Sequence, residues 1–562
     1  MDRIWLEEYP QGVPRDIDAA AYSSLVAILD ESFAQNAALP AYRYLSETFS
    51  YARIDSAASE FAAYLQGLGV AKGSRVAMMM LNVPQYPVAV IGALRAGMVV
   101  MNVNPLYTAR ELRQQLEDAD VSAIVILENF AATLQASIKA AGKPLVQHVV
   151  LASMGDMLGL PRRTLVNFVV RRFKKLVPAY ELPGSVRFNA ALARGRAAGF
   201  APPAIEPDDL AVLQYTGGTT GTAKGAMLLH RNLVANVLQS QAWYKPAIEK
   251  ISQQGQVVTI CALPMYHIFG FNTTMMLGLR SGGCGILIPN PRDIEGVLKV
   301  LAKERFHSFP AVNTLFNALM RHPRFDSVNW RNLQLSVGGG MAVQSATARQ
   351  WLEKTGCSIC EGYGLSETSP VVSCNPVTSK AFTHSVGLPV PSTDIRLLDE
   401  DGFDAAPGAE GEIAVRGPQV SAGYWRRPID SAAVMTADGY FRTGDIGTVD
   451  ARGYLRIVDR KKDMILVSGF NVYPSEIEEV LTQMPGVAEC AAIGMADANT
   501  GEAVKVLVVK SDPEVDEAGV REWAAANLTG YKRPRVIEFV KELPKTSVGK
   551  VLRRALREQE PV

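Results

Sequence analysis

The chain has 562 residues, of which 48% are hydrophobic and 20% are charged, and its formal net charge is +1. Single hydrophobic cores stop growing beyond roughly 250 to 300 residues, so this length predicts two or more domains. The composition is typical of a globular protein and excludes disorder of the whole chain. Nucleic acid is not expected as a partner, because nucleic-acid-binding proteins carry a strongly basic surface.

The first hundred residues contain an uncharged stretch, Val76–Leu94, that is long enough to resemble a membrane span. An asparagine at position 82 and prolines at positions 84 and 87 interrupt it. We therefore predict a buried strand over Val76–Leu81, a loop, and a helix that begins near Pro84 or Pro87.

Short apolar runs alternate with helical patterns over about the first 460 residues, as at Val99–Val103, Ala123–Leu127 and Gly285–Ile288. This alternation predicts an α/β fold in which helices cover mostly parallel sheets. We expect residues 1–459 to form this large amino-terminal domain.

The last hundred residues have a different pattern, which predicts a small α+β domain over residues 460–562. Strands are predicted at Val504–Val509 and Val536–Val540, with a helix near Glu517–Leu528. Ser475 and Glu478 have the spacing of a capping box and predict the start of a further helix. The domain boundary is placed at the charged run 459–463.

A segment rich in glycine and threonine, residues 215–225, lies between an apolar run over Leu210–Leu213 and a predicted helix over Asn232–Gln239. Glycines let backbone N–H groups face an anion, hydroxyl groups donate to its oxygens, and a lysine supplies positive charge. The segment is not a Walker A loop, because Gly225 follows Lys224. A phosphate loop is the favoured interpretation, and a flexible hairpin is the alternative. The candidate phosphate-binding residues are Thr216, Gly217, Gly218, Thr219, Thr220, Gly221 and Lys224.

A second segment, residues 361–368, places glycines beside an aromatic ring and a hydroxyl before a carboxylate. In this arrangement Tyr363 can stack on a purine and Ser366 can donate to a phosphate oxygen. Glu367 can hold Mg²⁺, which prefers oxygen ligands. A surface turn with an exposed glutamate is the alternative.

With these two segments, the sequence resembles the adenylate-forming superfamily of acyl-CoA synthetases, luciferases and peptide-synthetase adenylation domains. The resemblance spans nearly the whole chain, and its motifs occur in family order. The further motifs are LPMYHIFG at 263–270, GGGMA at 338–342, GEIAVRG at 411–417, YFRTGD at 440–445, DRKKD at 459–463 and PKTSVGK at 544–550.

The resemblance implies an enzyme that uses ATP and Mg²⁺ to activate a carboxylic acid as an acyl-adenylate and then transfers the acyl group to coenzyme A. It implies that Asp445 binds the ribose hydroxyls, that Arg460 reaches the nucleotide and that Lys550 contacts the reacting carboxylate and phosphate. The small domain is expected to rotate about Lys462 between the two half-reactions, which brings Gly469 near the thiol channel.

The resemblance also implies where other residues lie. Gly340, Glu361 and Gly362 are expected at the adenine pocket, Thr216 and Glu367 at magnesium-linked positions, His267 between the acyl and nucleotide pockets, and Phe271 at the gate of the acyl tunnel. A hydrogen-bonded core histidine is the alternative for His267. The expected catalytic residues are Lys550, Lys224, His267 and Glu367. A general base is not required, since a carboxylic acid is ionised near pH 7.

Three segments, 102–108, 167–178 and 213–218, look like bacterial long-chain fatty acid–CoA ligases. A long-chain fatty acid is therefore the expected substrate. The alternatives are a medium-chain or aromatic acid–CoA ligase, a fatty acyl-AMP ligase that serves a carrier protein, and an inactive ligand-binding protein. Between the motifs at 443–445 and 459–463 there is no room for the insertion that fatty acyl-AMP ligases generally carry before the small domain.

The expected location is the cytoplasm. The six cysteines form no paired pattern, and the amino terminus lacks an apolar run of signal-peptide type. Cys357 and Cys360 have the spacing of half a zinc site, but no second pair completes it, so a buried structural role is favoured.

A basic stretch follows Asp156, and no acidic residue occurs again before Glu181. It either binds the anionic inner face of a membrane or forms a solvated helix face packed on the large domain. Its basic residues are Arg162, Arg163, Arg171, Arg172, Lys174 and Lys175. The resemblance also allows a homodimer, for which the sequence identifies no interface.

Overall fold

The computed structural model describes residues 3–216, 223–379, 381–468, 470–497, 500–546 and 549–557. The helices are α1 Leu25–Asn36, α2 Tyr51–Gly67, α3 Gln85–Arg95, α4 Ala109–Ala119, α5 Ala131–Ala141, α6 Leu160–Phe168, α7 Phe188–Ala198, α8 His230–Ser252, α9 Leu277–Arg280, α10 Ile294–Leu301, α11 Asn313–Arg321, α12 Ser345–Thr355, α13 Pro428–Ala433, α14 Pro474–Thr482, α15 Glu517–Asn527 and α16 Arg553–Arg557.

The strands are β1 Pro40–Tyr44, β2 Glu47–Ser50, β3 Arg75–Met79, β4 Val99–Asn102, β5 Val121–Leu127, β6 His148–Ala152, β7 Val186–Arg187, β8 Leu210–Thr216, β9 Lys224–Leu229, β10 Val258–Cys261, β11 Cys284–Leu287, β12 Ser308–Ala311, β13 Leu335–Gly338, β14 Ile359–Gly364, β15 Val371–Cys374, β16 Leu388–Pro389, β17 Asp394–Leu398, β18 Gly411–Arg416, β19 Phe441–Val449, β20 Leu455–Arg460, β21 Ile465–Val467, β22 Phe470–Val472, β23 Val487–Asp497, β24 Gly501–Lys510 and β25 Val536–Phe539.

The large domain contains two mainly parallel sheets and one antiparallel sheet. One sheet has the order β7-β6-β5-β3-β4-β8-β9, and the other has the order β16-β15-β14-β13-β12-β10-β11-β1-β2. In the first sheet only β9 is antiparallel to its neighbour, among the pairings of the described strands. Strand β5 is a run of valine, isoleucine and leucine that is buried along nearly its whole length, as parallel strands covered on both faces are. The antiparallel sheet has the order β17-β18-β19-β20.

The small domain has its own sheet and its own core. Strands β22, β21, β24 and β23 lie in that order, and β25 pairs with β24. The core around Ile465, Ile477 and Val506 contains no residue from before position 465. The α/β class and the division into a large parallel-sheet domain and a small carboxyl-terminal domain are thereby confirmed.

The uncharged stretch at 76–94 forms β3 and α3, and α3 begins directly after Pro84 as predicted. Every residue of α3 is buried, which explains its lack of charged side chains before Arg95. No helix in the described part of the chain has the length and apolar character needed to cross a membrane.

Two local predictions differ from the structure. Helix α8 is much longer than predicted, because it continues through Pro246 to Ser252. The capping box at Ser475 and Glu478 is wrong: α14 has no side-chain cap, and the Glu478 carboxylate instead binds the Arg553 guanidinium at 2.7 Å. The ion pair with Arg553 thus holds the Glu478 side chain, which does not cap the start of α14.

The six cysteines are buried and unpaired. Cys360 lies in β14 and Cys357 two residues before that strand, and the described residues contain no cluster of three or more side chains suited to a metal ion. Burial raises the pKa of the Cys360 thiol well above its ordinary value. The buried structural role predicted for this pair agrees with these surroundings.

Candidate nucleotide-binding and catalytic site

The motif segments meet at the carboxyl ends of the parallel strands β12, β13 and β14. Gly338 at the end of β13 pairs with Glu361 of β14. Ligands of open α/β sheets bind outside this edge. The following turn needs glycine, because Gly340 has a φ of +77° and a Cβ on Gly339 would lie 3.0 Å from the Phe269 ring.

The antiparallel sheet contributes a carboxylate and a guanidinium to this edge. Asp445 on β19 and Arg460 on β20 are register partners, and the Arg460 Nε lies 3.0 Å from the Asp445 Oδ1. The Tyr363 hydroxyl donates to the Asp445 Oδ2 at 2.6 Å. These groups adjoin a small pocket that is lined by Thr443, Gly444, Asp445, Arg460, Lys461 and Lys462.

The structure therefore brings Tyr363, Asp445, Arg460 and Lys462 together, although they come from three parts of the chain. Burial and the neighbouring Arg460 charge lower the pKa of the Lys462 ammonium. A pocket with three cations and one carboxylate can accept a phosphate and a sugar diol at the same time.

Glu361 has a role that its motif did not reveal. Its Oε1 accepts the backbone N–H of Val343 at 3.0 Å, and burial raises the pKa of its carboxyl to about 8. The side chain thus fixes the turn that contains Gly340 and does not point freely into a nucleotide pocket. Any contact from Glu361 or Gly362 to an adenine must come from the backbone.

Glu367 is buried in a short 3₁₀ turn, Ser366–Thr368, and Ser366 is half-buried beside it. The Glu367 Oε1 accepts a hydrogen bond of 2.8 Å from the Tyr424 hydroxyl. Burial raises the pKa of the Glu367 carboxyl above its ordinary range. A divalent cation would favour the ionised form, so this buried carboxylate is chemically suited to Mg²⁺.

The predicted phosphate loop lies only partly within the described residues. Thr216 at the end of β8 pairs with Lys224 at the start of β9, and its hydroxyl donates to the Lys224 carbonyl at 3.3 Å. The Lys224 Nζ lies 2.7 Å from the Asp430 Oδ1 and 5.3 Å from the centroid of the Tyr424 ring. Gly217, Gly218, Thr219, Thr220 and Gly221 fall outside the described residues, as does Gly469.

Lys550 reaches the site from the small domain. Its backbone N–H donates to the Thr546 Oγ1 at 3.1 Å, which shapes a tight turn. Gly549 in this turn has a φ of +81°, and a Cβ there would lie 2.5 Å from the Thr314 Oγ1 of the large domain. The lysine turn is therefore in close contact with the large domain.

The pKa values of Lys550 and His267 are both lowered, in agreement with a buried, positively charged site. Burial, followed by the Arg460 charge, lowers the pKa of the Lys550 ammonium to about 8. Burial, followed by the Lys550 charge, lowers the pKa of His267 to about 4. His267 is consequently neutral near pH 7, and its Nδ1 accepts the Phe269 N–H at 3.4 Å.

The shifted pKa of Lys550 predicts a pH dependence. Because the ammonium form carries the positive charge, we expect kcat/KM for ATP to fall about tenfold per pH unit above pH 8, as the free enzyme loses this proton. His267 should produce no change near pH 6.5. The measurement is initial pyrophosphate release between about pH 6 and 9.5. A Lys550→Arg variant should lose the alkaline decline in its remaining activity, and a flat wild-type profile would contradict the assignment.

Phe271 is fully buried within the π-helical segment Gly270–Met276. It packs in the hydrophobic core that also contains Met265 and Met275. The next residues of this segment, Thr273 and Thr274, line an apolar cavity. The acyl-gate role of Phe271 stays a prediction.

The sequence analysis missed Tyr424, which contacts both Glu367 and Lys224. It also missed Arg553, which is paired with Glu478 three residues beyond Lys550. Tyr424 lies outside the quoted motifs and carries no distinctive spacing. Arg553 could have been found, because an arginine so close to Lys550 suggests a support for it.

A pocket lined by Asp445, Arg460 and Lys462 on a large parallel-sheet domain, with the Lys550 turn of a small domain packed against that domain, defines the class of AMP-binding enzymes. The family model of AMP-binding enzymes matches residues 29–425, and the model of their carboxyl-terminal domain matches residues 476–550. The chain belongs to the AMP-binding enzyme family.

Particular relatives share the full length of the chain. The long-chain-fatty-acid–CoA ligase of Escherichia coli O157:H7 is 50% identical over 560 residues, which cover 100% of this chain and 98% of the relative. The Bacillus subtilis long-chain-fatty-acid–CoA ligase is 36% identical, with 99% and 98% covered. Among solved structures, ATP-bound MatB from Rhodopseudomonas palustris is 30% identical with a TM-score of 0.80, and the match covers 96% of this chain and 99% of MatB.

Proposed function

We propose that this protein is a long-chain fatty acid–CoA ligase. It joins a fatty acid to AMP with release of pyrophosphate and then transfers the acyl group to coenzyme A, which releases AMP. The observation that carries the proposal is the close contact between the Lys550 turn of the small domain and the large domain, where a Cβ on Gly549 would lie 2.5 Å from the Thr314 Oγ1. The full-length similarity to long-chain-fatty-acid–CoA ligases supports the substrate class.

In this proposal the nucleotide lies against β14, β19 and β20. Asp445 accepts the ribose hydroxyls, Arg460 and Lys462 face the phosphates, and Tyr363 stacks on the base. Gly340, Glu361 and Gly362 shape the adenine side through the turn that Glu361 fixes. Gly217, Gly218, Thr219, Thr220 and Gly221 are proposed to bind phosphate oxygens together with Lys224 and Ser366.

Glu367 and Thr216 are the proposed holders of Mg²⁺. When bound, Mg²⁺ supplies charge neutralisation on the phosphate oxygens of ATP. The Tyr424 hydroxyl donates to the Glu367 Oε1 at 2.8 Å and thereby fixes the Glu367 side chain.

The first half-reaction follows from charge and position. A carboxylate oxygen of the fatty acid attacks the α-phosphorus of ATP, a P–O bond forms, and the bond to pyrophosphate breaks. Negative charge increases on the phosphoryl oxygens, where Lys550 and Lys224 can stabilise it. His267 positions the acid and needs no proton, since the acid is already ionised.

The acyl chain is proposed to occupy an apolar cavity of the nine-stranded sheet. The cavity lies between helix α8, the segment Gly270–Met276 and strands β10 to β13. Its lining includes Tyr244, Ile248, Ile251, Thr259, Thr273, Thr274, Leu277, Gly278, Pro310, Leu335 and Val337. Val337 and Gly338 are consecutive residues of β13, and the turn at the nucleotide site follows Gly338, so the cavity and the site are close along the chain. Burial of each CH₂ group contributes about 0.8 kcal/mol, so such a lining favours a long chain.

Gly278 offers a direct test of the cavity. A Cβ at this position meets no atom within 4 Å, and Gly278 lines the cavity. We expect Gly278→Leu to fill this space and move the preferred acid to a shorter chain, with about fourfold loss of kcat/KM for each excluded CH₂ group. The measurement is thioester formation across saturated acids of increasing length.

Gly278→Ala should produce a smaller shift in the same direction. Gly67→Leu is the control, because Gly67 also has open space around its Cβ but lies on the surface at the end of α2. An unchanged chain-length profile in Gly278→Leu would remove this cavity as the acyl site.

The second half-reaction requires the small domain to move. Coenzyme A must reach the carbonyl of the adenylate, and the turn of Lys550 fills that side of the site. We propose rotation about Lys462, with a domain boundary at residues 459–463. Such a rotation separates Glu479 from the Ser345 hydroxyl, which now donates to the Glu479 Oε1 at 2.6 Å.

The proposal is tested by incubating the protein with labelled ATP, magnesium, palmitate and coenzyme A. AMP, pyrophosphate and palmitoyl-CoA are the expected products. ADP and phosphate would refute adenylation. Preference for medium-chain or aromatic acids would favour the corresponding ligase, and acyl-adenylate without thioester would favour a fatty acyl-AMP ligase.

Cytoplasmic location, contact with the inner face of a membrane, and a homodimer are also proposed. The basic residues between Arg162 and Lys175 support the membrane contact.

A further inference from the structure

A short segment after β18, residues 422–430, lies beside strand β9 and is here called the strap. The backbone N–H of Trp425 donates to the Gly225 carbonyl at 2.8 Å, and the backbone N–H of Met227 donates to the Gly423 carbonyl at 2.9 Å. These hydrogen bonds fix the strap along β9, which is the strand that follows the predicted phosphate loop.

Side chains of the strap contact two residues of the candidate site. The Tyr424 hydroxyl donates to the Glu367 Oε1 at 2.8 Å, and the Tyr424 ring centroid lies 5.3 Å from the Lys224 Nζ, within the range of a cation–π contact. The Asp430 Oδ1 accepts a hydrogen bond of 2.7 Å from the same Nζ. The strap therefore determines where the ammonium group of Lys224 and the carboxylate of Glu367 lie.

Asp118, in the last turn of α4, joins the strap to the rest of the large domain. The Arg427 Nη2 donates to the Asp118 Oδ1 at 2.9 Å, and the Trp425 indole N–H donates to the Asp118 carbonyl at 3.2 Å. The Tyr215 hydroxyl donates to the Asp118 Oδ2 at 2.5 Å. Because Tyr215 directly precedes Thr216 at the end of β8, one carboxylate links the strap to the strand that leads into the predicted phosphate loop.

The stability of α4 does not explain the carboxylate of Asp118. A negative charge in the last turn of a helix is unfavourable with the helix dipole, and the sequence of that turn, QLEDA, contains no basic residue. Arg427 of the strap supplies the compensating charge, and the Asp118 side chain is only 21% exposed in this ion pair. Burial, followed by the hydrogen bond to Asp118, raises the pKa of the Tyr215 hydroxyl, which therefore remains a donor near pH 7. The contacts of Asp118 thus indicate a role outside its own helix.

We propose that Asp118 is a positioning residue for ATP and Mg²⁺ that acts through Lys224 and Glu367. It holds the strap and the end of β8, and the strap holds the Lys224 ammonium and the Glu367 carboxylate. Without the ion pair to α4 the strap shifts, and these two charges move relative to the phosphates of ATP. The inference rests on the proposed function, which assigns Lys224 to the phosphates and Glu367 to Mg²⁺.

Steady-state kinetics of Asp118 variants are the first test. A displacement of about 1 Å can cost about 100-fold in rate, so we expect Asp118→Ala to lower kcat/KM for ATP about 30-fold and to raise KM for ATP. Asp118→Asn keeps one acceptor oxygen and should lose about fivefold. KM for palmitate and thioester formation from supplied palmitoyl-adenylate should stay near the wild-type values. Equal losses in both half-reactions would indicate a general structural defect and overturn the inference.

Binding of ATP without turnover is the second test. Isothermal titration calorimetry with the α,β-methylene analogue of ATP and Mg²⁺ reports the nucleotide site alone. Asp118→Asn should raise the Kd of the analogue about fivefold, and Asp118→Ala should raise it further. Wild-type affinity in both variants would overturn the inference. A wild type that binds the analogue but releases no pyrophosphate would refute the proposed function, and the Kd values would still decide the role of Asp118.

Asp120→Asn is the matched control. Asp120 follows the same helix, but its carboxylate pairs with Arg75 at 2.9 Å and is 71% exposed. Its φ of +50° is one that asparagine tolerates, so this variant should bind and react like the wild type. Arg427→Gln should reproduce the loss from the side of the strap. Because both changes remove one ion pair, Asp118→Asn/Arg427→Gln should lose no more than the weaker of the two single variants. Additive losses, or an equal loss in Asp120→Asn, would contradict the role of Asp118.

Discussion

Lys550→Ala should lower the rate of adenylate formation by about 10²- to 10³-fold and leave thioester formation from supplied acyl-adenylate near the wild-type rate. The reason is that the turn containing Lys550 contacts Thr314 of the large domain while the small domain is docked as described, and it leaves that position when the small domain rotates. The first half-reaction is measured by pyrophosphate release, and the second by thioester formation from synthetic palmitoyl-adenylate and coenzyme A.

Lys545→Ala is the matched control for this prediction. Lys545 lies in the same segment, but its ammonium binds the Glu489 carboxylate at 2.6 Å, away from the site. Removing it should change adenylation by no more than a few-fold, because a partly exposed ion pair contributes about 0 to 1 kcal/mol. Equal losses in both half-reactions of Lys550→Ala would argue against two positions of the small domain.

Arg553→Ala should have the largest effect on stability. The Arg553 guanidinium binds Glu478 at 2.7 Å and lies 3.5 Å from Asp463, and all three side chains are largely buried. Removing one partner of a buried pair leaves charges uncompensated and typically costs about 3 to 5 kcal/mol. We expect the free energy of unfolding of the small domain to fall by this amount, as measured by urea unfolding of the full chain.

Arg553→Ala should also impair adenylation at urea concentrations below the unfolding transition. Arg553 joins α16, which follows Lys550, to α14 and to Asp463 beside the proposed rotation point. Loss of this link lets the Lys550 turn move, so kcat should fall more than KM for ATP rises. Lys541→Ala, at an exposed position of the same domain, controls for the lost charge. Wild-type stability and rate in Arg553→Ala would show that the pair supports neither.

Several strands and helices of the large domain followed from the sequence because burial determines both pattern and fold. The uncharged run at 76–94 predicted a strand and a helix, and β3 and α3 occupy it. The end of α8 could not be predicted in this way. Proline disfavours the interior of a helix because it lacks a backbone N–H, so Pro246 predicts a helix end. The helix continues because Ala247 and Ile251 beyond it are buried in the large domain.

The sequence indicated which residues form the candidate site, but it did not predict the contacts that their side chains make. The resemblance to the adenylate-forming superfamily singled out Asp445 and Arg460, and the register of β19 and β20 places them side by side. Spacing could not reveal that the Glu361 carboxyl turns back to the Val343 N–H, or that Glu478 leaves its helix terminus for Arg553. Both depend on contacts between residues far apart in sequence, which no local pattern encodes.

The burial of all six cysteines has a practical consequence for work with a thiol substrate. Burial raises the pKa of Cys284 to about 11 and that of Cys374 to about 12, so neither forms a thiolate near neutral pH. A thiol-specific dye added to the folded enzyme would therefore react with free coenzyme A and hardly with the protein. Consumption of coenzyme A can then be followed in samples drawn from one reaction, without blocking or mutating any cysteine.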